Sequence, residues 1–200
     1  MKSDALAPIT SLRPTQLTVG FYHVQAKMLE TSALPSSQRE RMMRKHPVRV
    51  ILGPEQRHFI VDHHHWARAW WELGIDTVPI VVVGDFSELN EPQFWYRMER
   101  ERRVHPYDER GAKRPLSTLP ASISDLRDDP YQSLAAFARK AGGYRKLRKA
   151  CSDFKFVDFF RARIAIDLSS PGGFALALLL AVKLAQTRAA KGMPGFRGRR

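Results

Sequence analysis

Residues 58–74 read HFIVDHHHWARAWWELG, and this stretch decides the fold. His58 to Val61 is β-branched and aromatic, as strands prefer. Asp62 is placed to cap a helix, because its short carboxylate can accept a free N–H of the first turn. Trp66, Ala69, Trp70 and Leu73 then recur at i, i+3, i+4 and i+7, one face of a helix. Gly74 follows where helices commonly stop in a left-handed residue. Upstream, Val48 to Leu52 is a second strand, joined to the first by the turn residues Gly53-Pro54-Glu55-Gln56. Downstream, Thr77 to Val83 (TVPIVVV) is a continuous apolar run, the pattern of a strand buried on both faces. Strand, turn, strand, helix, strand is an α/β (α+β) core.

Outward from this core the pattern changes. Residues 1–11 look like a flexible arm, and Leu17 to Met28 starts as a strand or turn and runs into a helix. SSQRERMMRK after Pro35 predicts a short helix. Asn90 is a cap for EPQFWYRMERERRV, with Pro92 in the first turn, where its missing N–H costs nothing. Residues 104–130 carry four prolines and many charges and predict a long connection. Helices are expected at Tyr131 to Ala141, Phe154 to Ile166, and Phe174 to Ala190 after Gly172-Gly173. The expected division is a core over 8–90, a basic, mainly helical region over 91–192, and a basic tail over 193–200.

The 200 residues are 44% hydrophobic, enough to bury a sizeable core and to exclude disorder along the whole chain. A single cysteine, Cys151, excludes an intrachain disulfide framework and a zinc site of several cysteines. The longest apolar run, Phe174 to Val182, is about half of what a bilayer crossing needs. These features predict a soluble, cytoplasmic protein without a membrane partner. Net charge is +13, and it is unevenly placed. Residues 1–96 hold ten basic and ten acidic side chains, whereas residues 97–200 hold twenty-three basic and ten acidic. A polyanionic partner, nucleic acid or nucleotide, fits that balance.

Several blocks resemble the ParB-like nuclease family of the ParB/sulfiredoxin superfamily: LRPTQLTVGFYHVQAK (12–27), FIVDHHHWARAWWELG (59–74), FWYRM (94–98), DDPYQSLAAFARKAGGY (128–144) and DFKFVDFFR (153–161). The resemblance implies a ParB/sulfiredoxin-like core with an α-helical C-terminal region, and a protein that binds or acts on nucleic acid or a nucleotide phosphate, by hydrolysis in the nuclease reading. In such relatives a strand delivers the chain to a helix N-terminus, where N–H groups and the helix dipole favour a phosphate. This sequence departs at two positions: His63 stands where relatives usually carry Gly, and Trp66 where they carry a second Arg. Two other readings stay open, a non-catalytic DNA-binding or partition-type module and a small-molecule phosphotransferase.

The candidate catalytic residues are Asp62, His64 and His65; a neutral imidazole at a helix N-terminus is a suitable general base. Lys27, His63 and Arg68 are the candidates for holding phosphate, Arg68 in place of the missing Arg. Asp62 and His65, at i and i+3, share a helix face and are the pair that a divalent metal would use, although two ligands do not complete a hydrolytic site. Arg145, Lys146, Arg148 and Lys149, in YRKLRKA, are the candidate nucleic-acid contacts, with a solvated helix face as the other reading. Trp66 and Trp70 read as core, as does the cluster Phe154, Phe156, Phe159 and Phe160. The last helix, apolar almost all round, is expected to be buried on the core or in a homodimer through the C-terminal helices.

Overall fold

The computed structural model describes residues 5–147 and 153–198. In chain order the elements are β1 (Ala5–Pro8), β2 (Leu12–Arg13), β3 (Thr18–Val19), α1 (Phe21–Ser32), α2 (Ser36–Lys45), β4 (Val48–Leu52), β5 (His58–Asp62), α3 (His64–Glu72), β6 (Thr77–Asp85), α4 (Glu91–Arg100), β7 (Arg127–Asp128), α5 (Pro130–Lys140), α6 (Phe154–Arg161) and α7 (Pro171–Ala185). They fall into two compact units, one of Met1–Val19 with Val24–Arg127, the other of Gly20–His23 with Asp128–Arg200.

The first unit is built on a five-stranded mixed sheet in the order β1-β6-β4-β5-β2. β4 lies in the middle, antiparallel to β5 and parallel to β6. It buries Val48, Val50 and Ile51 completely, so the centre of the sheet is covered on both faces. On one side Ile51 and Phe59 meet Phe86, just past β6, and Phe94 and Met98 on the inner face of α4. Asn90 caps α4 reciprocally with Gln93, as its position before the apolar run requires. Trp70 of α3 is fully buried and donates from its indole to Thr31 Oγ1 at 3.3 Å. Gly74, at φ +67°, closes α3: its N–H reaches Trp71 O and that of Ile75 reaches Trp70 O, a Schellman stop.

Three expectations change here. Residues 5–11 are not an arm, because β1 pairs with β6 from Ala5 opposite Ile80 to Pro8 opposite Thr77, and Ala7 and Ile9 are buried. β6 is covered on both faces only at Val78 to Ile80; Val82 is 39% exposed. Asp62 ends β5 instead of capping α3, since the cap position belongs to His63.

The second unit is helical. Leu134, Phe156, Phe160, Ala177, Ala181 and Ala185 form its core, and Tyr144 stacks on Phe156 at 3.7 Å between centroids. Asp129 caps α5 and pairs with Arg161 at 2.5 Å; burial pushes its carboxyl up to about 6 against the pull of that guanidinium. α6 stops at Arg161, short of Ile166. α7 begins earlier than expected, because Ser170 caps it and Gly172-Gly173 lie inside it. A side chain at Gly173 would collide with Asp167 O, so glycine is required by close approach, not by a stop. α7 is also not buried all round. It packs through the alanine row 177, 181 and 185, and leaves Leu176, Leu179 and Leu180 52%, 64% and 42% exposed. Among the described residues no helix is long and apolar enough to cross a membrane.

Candidate anion site at the start of α3

The site forms where β5 hands the chain to α3. His63 makes that turn in the left-handed region, at φ +70° and ψ 26°. Asp62 Oδ1 accepts the His63 N–H at 2.8 Å and so fixes the exit from the strand. The His63 side chain does not cap the helix. Its Nδ1 lies 2.7 Å from Pro47 O, and because a carbonyl only accepts, that nitrogen carries the proton. Nε2 is then the remaining polar atom of the ring.

His46, at the end of α2, stacks on Trp66 at 5.0 Å and meets His63 edge-on at 6.0 Å. Lys27 of α1 is 11% exposed in its side chain, lies 3.9 Å from the Trp66 ring and pairs with Glu30 at 2.7 Å. Trp66 is itself 6% exposed. Where a second Arg was expected there is therefore an indole that seats a cation, and the positive charge arrives from α1.

His64 has a different environment from its neighbours. Its ring is 6% exposed, and Nε2 accepts the backbone N–H of Thr15 at 3.2 Å, which puts the ring proton on Nδ1. Thr15 Oγ1 in turn lies 2.5 Å from Ile60 O and 3.0 Å from Arg103 O. Burial drives the His64 pKa down to about 3; Asp62 pulls it back up, and His65, His63 and His105 push it lower. The imidazole is neutral through the physiological range and its lone pair is spent on Thr15. His65 is partly buried. Among the described residues no group of three or more His, Cys, Asp or Glu is arranged to hold a metal ion.

Arg68 is 8% exposed and turned away from phosphate duty. Its Nη1 donates to Ile123 O, Ser124 O and Leu126 O at 2.9–3.0 Å, and its Nε to Glu72. It ties α3 to the long connection. Arg145 and Lys146 are exposed but in a segment without helix, which corrects the helix-face expectation; they belong to the second unit. Arg148 and Lys149, like Cys151, lie outside the described residues. His46, Thr15 and Glu30 join the site without a warning in the sequence, because each arrives through a contact between segments far apart in the chain.

A mixed sheet whose strand turns left-handed into a helix, with imidazoles and the Lys27 ammonium gathered at that helix's first turn, defines an α/β domain of the ParB-like kind. The family model described as "Putative ParB-like nuclease" matches residues 6–162, and the chain belongs to that family. Among solved structures it is similar to the crystal structure of protein Atu1540 from Agrobacterium tumefaciens, with 38% identity, a TM-score of 0.90, and coverage of 98% of this chain and 97% of that one. No curated protein matches. The family suggests a role connected with nucleic acid.

Proposed function

We propose that the protein binds phosphate groups of nucleic acid or a nucleotide at the start of α3. The observation that carries this reading is the left-handed His63 turn, which brings His63 and His46 to a helix N-terminus beside the Trp66-seated Lys27. A helix start attracts an anion through its N–H groups and dipole, and a nearly dehydrated ammonium strengthens the attraction. The charge excess of residues 97–200 supplies further attraction for a polymer. His64 serves as a positioning group that holds the turn against Thr15. If the bound phosphodiester is cleaved, His63 and His65 are the imidazoles left to move a proton there.

The test is titration of a labelled mononucleotide and a labelled oligonucleotide, with product analysis in the same tubes. Lys27→Met removes the charge but keeps the stem, and His63→Asn keeps a residue that tolerates the left-handed turn. Each is expected to weaken mononucleotide binding about tenfold, close to 1.4 kcal/mol. Unchanged affinity in both variants, with unchanged melting, overturns the reading.

A further inference from the structure

The block FWYRM (94–98) is only half explained by the core. Phe94 and Met98 are fully buried on the inner face of α4. Tyr96 points the other way and is 67% exposed, the one aromatic ring among the large exposed apolar side chains of the described residues. One turn further on the same face stands Arg100, exposed and engaged in no ion pair among the described residues. Residues at i and i+4 are about 5–6 Å apart at Cβ, so Tyr96 and Arg100 leave the helix on the same face, within reach of one ligand.

The carboxylates nearby are already matched. Glu99 pairs with Lys113 at 2.9 Å, and Glu101 with both Arg97 at 3.0 Å and Arg103 at 3.6 Å. Arg97 also lies over the Phe86 ring at 3.9 Å, which fixes its head at the edge of the patch. The outer face of α4 therefore offers an exposed aromatic ring together with Arg100, a cation that no carboxylate of the described residues matches, while Arg97, Arg103 and Lys113 are held by Glu101 and Glu99.

We infer that this face binds single-stranded nucleic acid, with a base stacked on Tyr96 and a neighbouring phosphate held by Arg100. A single strand presents both a π-face and a phosphate at each step, whereas a duplex hides its base faces inside the stack. Charge complementarity selects this occupant, since an exposed ring on the same face as an unmatched guanidinium fits a polyanion of flat bases. The inference rests on the proposed function only in taking nucleic acid as the ligand; it adds a second contact surface and the strandedness of the polymer.

The experiment is fluorescence anisotropy with four probes: an oligothymidylate, an oligouridylate, a DNA duplex of equal length, and a mononucleotide. The single strands are expected to bind tighter than the duplex. Tyr96→Ala should weaken both single strands about tenfold or more, as loss of one stacked base does, while Tyr96→Phe retains binding and mononucleotide affinity is unchanged. Arg100→Gln should lower the salt slope of single-strand binding by about 0.7. Preference for the thymidylate or the uridylate identifies DNA or RNA as the polymer. The inference falls if Tyr96→Ala binds single strands as wild type does, or if the duplex is preferred. It also falls, with the α3 reading intact, if the mononucleotide binds and no polymer does.

Discussion

His63 holds φ +70° and ψ 26° while carrying a full imidazole side chain. A residue with a Cβ in the left-handed region costs about 1–2 kcal/mol, which is why glycine is usual in such a turn. His63 meets part of that cost through the bond from its Nδ1 to Pro47 O, so the turn survives the replacement of glycine. Nothing in a triplet of histidines says which one turns and which one is buried. The structure separates them by environment, and His64 becomes the buried one. Its pKa of about 3 has a consequence for acid stability. An unfolded histidine takes a proton near 6.5, so between about 6.5 and 3 the unfolded chain binds more protons than the native one. The contribution of His64 is thus full above about pH 6.5 and is lost as pH falls toward 3. His64→Gln, which keeps an acceptor for the Thr15 N–H without titrating, should flatten this limb. Urea midpoints between pH 7 and pH 4 measure it, and a wild-type advantage shrinking by up to about 1.4 kcal/mol per pH unit is expected.

Helices and strands with local signals were readable: the β5–α3 pair, the Asn90 cap and the Gly74 stop all follow from short-range chemistry. Elements fixed by distant partners were not. β1 exists because β6 offers it an edge, and Ala5-Leu6-Ala7-Pro8 carries no strand pattern of its own. Gly172-Gly173 looks like punctuation, yet Ser170 and Pro171 start the helix before it. Arg68 shows the same effect on a side chain, since a guanidinium that fitted a phosphate clamp in the sequence is used up by three carbonyls of residues 123–126. Arg68→Met should preserve the stem on α3 but strand those carbonyls, costing roughly 2–4 kcal/mol. Limited proteolysis should then cut the 104–130 connection well before α3. A variant as resistant as wild type would show that the clamp is dispensable.

Across the whole molecule the charge is the plainest signal, and an excess of thirteen lies well beyond the 2–8 or so common for a small domain. Nucleic-acid affinity should therefore fall linearly on a log–log plot against salt. If about six phosphates are met, roughly a thousandfold is lost between about 50 and about 200 mM, a range that filter binding covers easily. A flat salt response would mean that the surplus serves another purpose. The division into two units carries a different consequence, one of timing. Gly20–His23 belongs with Asp128–Arg200, so the second unit is interrupted in sequence by almost the whole of the first. During synthesis those four residues emerge early and must wait about a hundred residues for their partners: Asp128 to accept the Phe21 N–H, Ser133 to accept that of His23, and Phe174 to meet Tyr22. At common elongation rates that is several seconds or more on the ribosome. The helical unit cannot be released as a clean fragment by cutting the chain once, since residues 128–200 alone would lack the N-terminal piece that finishes their packing.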